Sequence, residues 1–308
     1  MRTAILIPCY NEEKAVGAVV DAFRAALPQA EIYVYDNNSK DRTVEVARAK
    51  GAIVRSEPLQ GKGNVVRRMF ADIEADIYVM VDGDDTYHAA SAPEMIALLQ
   101  RDSLDMVVGS RLKTDAAEAF RAGHHFGNRL LTGTVSYIFG NRFDDMLSGY
   151  RVFSRRFVKS FPAISAGFET ETELAVHALS LRLPVAEMET PYGARPEGSV
   201  SKLNTYRDGI RISWMIFQLF REERPMAFFA LLSAALALLS LALGAPVIVE
   251  FMRTGLVPRL PTALLATAIM LLAFLSMVCG FVLDTVTRGR REAKRLAYLA
   301  YPATGEGR

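Results

Sequence analysis

Two stretches without a single charged residue set the strongest constraint on this chain: PMAFFALLSAALALLSLALGAPVIV (225–249) and LPTALLATAIMLLAFLSMVCGFVL (260–283). Crossing a hydrocarbon core of about 30 Å takes about 20 helical residues, and each stretch is long enough. Together they read as a transmembrane helical hairpin, with a wholly buried helix pair in a soluble protein as the competing reading. Arg221 and Arg224 precede the pair, and Arg288, Arg290, Arg291, Lys294 and Arg295 follow it. The connecting loop carries only Arg253, Arg259 and Glu250. Two spans return both flanks to one side, and the basic bias makes that side cytoplasmic.

The chain has 308 residues and a formal charge of +2, so it can bury a large core but projects no global basic field toward nucleic acid. Its N-terminus, MRTAILIPCYNEE, has too short an apolar run for a signal peptide. Cys9 and Cys279 lie far apart and suggest neither a disulfide framework nor a metal cluster, which suits a reduced compartment.

Before the hairpin, short apolar runs alternate with amphipathic stretches. TAILIP (3–8), EIYVYD (31–36), GAIVRS (51–56), DIYVMVD (76–82) and DMVVGS (105–110) read as strands. Helical patterns follow Val16, Val19, Val20 and Phe23, then Thr43–Ala49, Asn64–Ile73 and SAPEMIALLQRD, with Ser91 as a cap and Pro93 near the start. This alternation predicts α/β units around a mostly parallel sheet. Regularity weakens after residue 113, where a helical insertion is expected, and LSGYRVFSRRF returns to strand and turn.

In open α/β sheets, ligands collect beyond the carboxyl ends of the strands, where PCYNEE, DNNSKD, DGDDTY and GSR fall. Asp82 and Asp84 flank Gly83 and offer two carboxylates to one cation, of the kind that holds Mg²⁺ or Mn²⁺ with substrate phosphates; an ordinary acidic turn is the alternative. Asp85 suits a supporting role or that of a third ligand. Gly61, Lys62 and Gly63 permit close backbone approach with a point charge for phosphate, although the Walker A spacing is absent. DNNSKD supplies groups for a base or ribose, or simply a turn. In GFETETELAVHALSLRLP, Thr170 and Glu173 read as a capping box, while Glu169 and Glu171 remain candidates for orienting groups. His177 reads as a core or surface residue rather than a ligand. His124 and His125, beside Arg121 and Arg129, can meet phosphate or lie in a polar loop. Residues 195–202 gather Arg195, Ser199, Ser201 and Lys202 ahead of an aromatic and arginine-rich helical pattern, which suits a membrane interface or core packing.

With PCYNEE, DNNSKD, GKG, DGDD, GSR, SGYRVFSRR, GFETETE and RPEGSVSKL in order along residues 3–202, the chain resembles the family 2 glycosyltransferases, and more narrowly their dolichyl-phosphate mannosyltransferase and polyprenyl-phosphate branch. The resemblance implies a GT-A α/β fold with a mostly parallel sheet, a UDP- or GDP-linked sugar donor, Mg²⁺ or Mn²⁺, and inversion at the anomeric carbon. Nucleotide-sugar contacts then fall on Pro8, Tyr10, Glu12, Asp36, Asn38, Lys62, Asp82, Asp84 and Arg111, the last matching the arginine after the family's fourth strand. Asn37 departs from the second acid of the family's D-D-x-S segment. Metal binding falls on Asp82 and Asp84, and catalysis on Asp84, Asp145, Arg195 and Lys202, with Asp144 an alternative to Asp145. Acceptor phosphate falls on Arg121, Arg129, Arg195, Ser199 and Lys202.

The expected organisation is a cytoplasmic GT-A domain (1–202), a juxtamembrane amphipathic helix (203–224), two membrane helices (225–285) and a basic cytoplasmic tail (286–308), in a cell inner membrane or its equivalent. The expected reaction transfers the sugar to undecaprenyl or dolichyl phosphate, and a homo-oligomer is compatible with the resemblance. A family 2 enzyme with another glycan or lipid acceptor, and an inactive nucleotide-sugar-binding scaffold, are the alternatives.

Overall fold

The computed structural model describes residues 1–111, 133, 143, 145–165, 167, 169–193, 214 and 217–303. Arg121, His124, His125, Arg129, Asp144, Arg195, Ser199, Ser201, Lys202 and most of the expected juxtamembrane helix lie outside the described residues. The chain divides into two units, one of Met1–Ile212 with Ala293–Arg308 and one of Ser213–Glu292.

Among the described residues, the first unit is built on seven strands: β1 (Thr3–Cys9), β2 (Glu31–Asp36), β3 (Ile53–Ser56), β4 (Ile77–Met80), β5 (Met106–Arg111), β6 (Arg151–Ser154) and β7 (Val185–Thr190). Their order across the sheet is β3-β2-β1-β4-β6-β5-β7. Only β6 runs against its neighbours, pairing Val79 with Val152 on one side and Val107 with Val152 on the other. β1 and β4 are buried along nearly their whole length, as expected for parallel strands covered on both faces. The edges differ: β3 is largely exposed and β7 half-buried. The sequence did not mark β7, whose alternation of Val185, Ala186, Glu187, Met188 and Glu189 is too short and too charged to stand out.

Among the described residues, helices α1 (Val16–Ala26), α2 (Thr43–Ala49), α3 (Lys62–Asp72), α4 (Ala92–Arg101), α5 (Arg155–Ser160) and α6 (Thr170–Leu181) pack with this sheet. α1 buries Val16, Val19, Val20 and Phe23, the i, i+3, i+4, i+7 stripe of a helix with one apolar face. Two expected caps are not made. Ser91 stands at the N-cap of α4 without a side-chain bond, because the chain already turns there in a 3₁₀ segment, Ala89–Ser91. Thr170 is the first residue of α6 and donates to Gly167 O at 2.7 Å, while the Glu173 carboxylate accepts from Ile164 N and Ser165 N at 2.9 and 2.8 Å. Glu173 therefore pins the preceding loop instead of closing a capping box.

His177 is buried in the core, its Nε2 3.1 Å from Ser160 Oγ and its ring edge-on to Phe157 and Phe161. Burial, reinforced by the Lys294 charge, pushes its pKa down to about 3, so the imidazole is neutral.

The second unit holds most of a helix pair, α7 (Pro225–Thr254) and α8 (Leu260–Leu299). Both are long and apolar enough to cross a membrane by length and composition. Ser233 Oγ donates to Ala273 O at 2.8 Å and Ser240 Oγ to Ala266 O at 2.7 Å, tying the helices together within their apolar length. α8 continues as helix through most of the expected basic tail, to Leu299. Near its end, in the first unit, Tyr298 OH donates to Asp105 Oδ2 at 2.9 Å and Arg295 Nη1 to Leu181 O at 2.8 Å.

Candidate active site

The carboxyl edge of the sheet carries the polar loops. After β1 and β2 they are laced together by backbone and side-chain bonds. Asn11, at φ 55°, accepts from Lys40 N at 2.8 Å through its side chain, and Ser39 Oγ accepts from Asn11 N at 2.9 Å. Glu12 N donates to Thr43 Oγ1 at 2.8 Å. Pro8, Tyr10 and Glu12 are half-buried along this seam. Asp36 is buried, and its carboxylate accepts from Ser39 N at 3.2 and 3.3 Å. Asn38 is exposed in the left-handed region at φ 66°, its Nδ2 donating to Pro58 O at 2.9 Å.

Asn37 explains its own departure from the family motif. Its Nδ2 donates to Glu57 O at 2.9 Å and Leu59 O at 2.8 Å, while its Oδ1 accepts from Gly61 N at 2.7 Å. An amide can both donate and accept, whereas an ionised carboxylate can only accept. The side chain is thus spent on the loop leading into α3, ahead of Lys62.

Lys62 opens α3 and does not stand free for a phosphate. Its Nζ is held by the Asp82 carboxylate and by Glu171 Oε1 at 2.5 Å. Burial opposes the charge, but the Asp82 and Glu171 carboxylates outweigh it and hold the ammonium's pKa above its ordinary value. Gly63 makes the approach of α3 to the loop before α6 possible, since a Cβ there would lie 2.1 Å from Ser165 O.

Asp82 also lies against Gly149, where a Cβ would meet its Oδ2 at 2.3 Å. Asp84 is buried and accepts from Thr86 Oγ1 at 2.6 Å. Asp85 adopts φ 57°, and burial followed by the Asp84 charge pushes its pKa up. Tyr87, which the sequence did not single out, accepts from Gly149 N at 2.9 Å through its hydroxyl and packs against Tyr150 and Tyr192. It fixes the turn that touches Asp82.

Arg111 ends β5, the fifth strand in chain order, and forms a two-pronged pair with Asp145, Nε to Oδ2 at 2.6 Å and Nη2 to Oδ1 at 2.7 Å. Burial alone disfavours the guanidinium charge, but the Asp145 hydrogen bonds raise its pKa above the ordinary value. Tyr192 lies under the guanidinium at 5.5 Å. Asp145 is thereby committed to Arg111 in this arrangement, a position that suits orienting the arginine more than accepting a proton. Arg151, fully buried, braces the same turn from below by donating to Ser148 O at 3.0 Å and Met146 O at 2.5 Å.

Asp82 and Asp84 offer only oxygen donors, and among the described residues no group of three or more His, Cys, Asp or Glu forms a metal cage. Two carboxylates completed by substrate phosphates and water fit Mg²⁺, which seldom uses an all-protein shell, and Mn²⁺ favours the same oxygen ligands. The donor set fits such a cation.

Residues 4–161 match the sequence profile described as glycosyl transferase family 2. The chain belongs to this family. Glycosyltransferase AglJ of Haloferax volcanii is 34% identical over 226 residues, covering 73% of this chain and 74% of AglJ. The dolichyl-phosphate hexose transferase of the same organism is 30% identical over 222 residues, covering 72% of this chain and 95% of its own length. Protein RfbJ of Shigella flexneri is 59% identical over 121 residues, which are 39% of this chain and 94% of RfbJ. Among solved structures, glucosyl-3-phosphoglycerate synthase of Mycobacterium tuberculosis, in complex with Mn²⁺, UDP-glucose and phosphoglyceric acid, superposes with a TM-score of 0.54 at 23% identity. It covers 70% of this chain and 79% of its own. The fold is therefore the GT-A-like α/β fold of sugar transferases, and the family's reaction is glycosyl transfer from an activated sugar.

Proposed function

We propose that this family 2 transferase moves a sugar from a UDP- or GDP-linked donor to the phosphate of a polyprenyl lipid at the cytoplasmic face of a membrane, with inversion at the anomeric carbon. The observation that carries the acceptor reading is the joining of a strand-end carboxylate site to two span-length apolar helices in one chain. Its similarity to a dolichyl-phosphate hexose transferase supports the same reading.

A divalent cation held by Asp82 and Asp84 would supply charge neutralisation for the departing diphosphate. The chain's own residues set the rest. Lys62 stays protonated and places a positive charge beside that site. Asp145 keeps Arg111 in a fixed orientation at the end of β5. An acceptor phosphate monoester has a second pKa of about 6 and is already anionic near neutral pH, so alignment matters more than proton removal. One phosphate oxygen attacks the anomeric carbon from the face opposite the diphosphate, and the bond from that carbon to the diphosphate oxygen breaks. Arg195, Ser199 and Lys202, with Arg121 and Arg129, are the proposed partners of the acceptor phosphate.

A second reading keeps the donor chemistry and changes the acceptor. The solved glucosyl-3-phosphoglycerate synthase is a complex with both UDP-glucose and phosphoglyceric acid, a small phosphorylated molecule. The deciding experiment offers the full chain in detergent or nanodiscs a panel of UDP- and GDP-sugars, each with polyprenyl phosphate or phosphoglycerate, in Mg²⁺ or Mn²⁺. Transfer to polyprenyl phosphate supports the first reading. Transfer only to a water-soluble acceptor replaces it with the second, and donor binding without transfer to either acceptor rejects it.

A further inference from the structure

Lys62, Asp82 and Glu171 form a triad at the edge of the site. The Lys62 ammonium touches both carboxylates, although one would suffice to balance it. The side chains of Lys62 and Glu171 are only 10% and 6% exposed, whereas Asp82 is 28% exposed. Glu171 Oε2 is buried and has no hydrogen-bond partner among the described residues.

The Glu171 arm of the triad is built into the fold. Glu171 lies in the first turn of α6, and Lys62 is the first residue of α3. The close passage of Gly63 against Ser165 O and Thr170 Oγ1 brings those two helix starts together. Glu173 holds the intervening loop through Ile164 N and Ser165 N. The Asp82 arm differs, because its carboxylate lies at the open strand end with Asp84.

We infer that Glu171 is a positioning residue, the permanent counter-charge of Lys62, which allows Asp82 to pass from the lysine to a divalent cation. This rests on the metal role proposed above for Asp82 and Asp84. When Asp82 turns to a cation, Lys62 remains neutralised and in place. Without Glu171, Asp82 is the one carboxylate left to the lysine among the described residues, and the lysine competes with the cation for it.

The test is direct Mn²⁺ binding to the full-length protein, read from the free-ion signal by electron paramagnetic resonance with no donor or acceptor present. Glu171→Gln is expected to weaken Mn²⁺ binding about tenfold, the low end of the usual effect of removing a residue that orients a metal ligand. Lys62→Met is expected to tighten binding, because nothing then competes for Asp82. The double variant, K62M/E171Q, is expected to match Lys62→Met, since Glu171 has no task once the lysine is gone. An unchanged affinity in Glu171→Gln overturns the inference. So does a double variant weaker than Lys62→Met, which would make Glu171 a ligand in its own right. Should Glu171→Gln fail to fold, Lys62→Met decides alone, and an unchanged or weaker affinity refutes the handover. Saturable binding in the wild type that survives Asp84→Ala sinks the underlying metal assignment instead, so the two failures can be told apart.

Discussion

Replacing Asn37 by aspartate, the residue the family motif carries there, is expected to destabilise this protein and to do so more at pH 7 than at pH 5. Asn37 is 3% exposed and its Nδ2 serves two carbonyls, Glu57 O and Leu59 O. An ionised carboxylate in its place would aim an oxygen at both, and each stranded buried group costs about 1–3 kcal/mol. Protonation restores one donor. From an ordinary aspartate pKa of about 3.9, holding the acid neutral costs about 4 kcal/mol at pH 7 but about 1.5 kcal/mol at pH 5. Adding about 1 kcal/mol for the bond still missing, the expected loss is about 2.5 kcal/mol at pH 5, rising to about 4 kcal/mol at pH 7, where the ionised form becomes the cheaper route. The sign follows from linkage. The folded-state pKa lies above the unfolded value, so the unfolded chain releases its proton first and stability falls as pH rises between the two. Thermal unfolding of wild type and N37D, full length in one detergent at pH 5, 6 and 7, isolates this residue by subtraction. A depression on the order of 10 °C is expected at pH 7. A variant within about 0.5 kcal/mol of wild type at pH 7, roughly the effect of an ordinary surface substitution, would refute the reasoning. A deficit that grows on acidification would do the same.

His177 makes a second pH-dependent case. Its folded pKa of about 3 lies below the unfolded value of about 6.5, so its neutral form contributes stability above pH 6.5 that is lost as pH falls toward 3. That loss is about 2 kcal/mol by pH 5. His177→Leu should remove this component of the acid slope, and identical slopes in denaturant titrations at pH 7.5 and 5 would count against it. Asp84→Ala should lower metal-dependent transfer at least about a hundredfold, and normal transfer in a metal-controlled assay would remove Asp84 from the site. Leu256, exposed between α7 and α8, tests the span reading. In a Leu256→Cys protein, a membrane-impermeant maleimide should label residue 256 in right-side-out vesicles and spare it in sealed inside-out ones. The reverse pattern would place the hairpin the other way round.

Much of the catalytic unit is legible in the chain because its strands are short apolar runs and its helices carry one-sided stripes, as Val16, Val19, Val20 and Phe23 do. What escaped depends on residues far apart in sequence. Glu173 has the spacing of a cap, yet Ile164 N and Ser165 N claim it. Lys62 reads as a phosphate ligand because its partner Glu171 arrives from a helix much later in the chain. The reversal of β6 is a pairing choice made between β4 and β5, and no residue pattern within Arg151–Ser154 announces it. Asn37 looks like a weakened base contact until the carbonyls of residues 57 and 59 are seen beside it.

The reversal of β6 has one more effect. Because β6 runs backward, the chain leaves the carboxyl edge of the sheet after Arg111 and comes back to it at Asp145, and the ion pair between them closes residues 112–144 at the stem. Doubling the length of such a closed segment adds only about 0.6 kcal/mol to its closure entropy. A change of chain length between those two residues would therefore cost little in closure entropy while Arg111 and Asp145 stay paired. The pair thus sets a fixed pair of endpoints at the sheet, independent of what the chain carries between them.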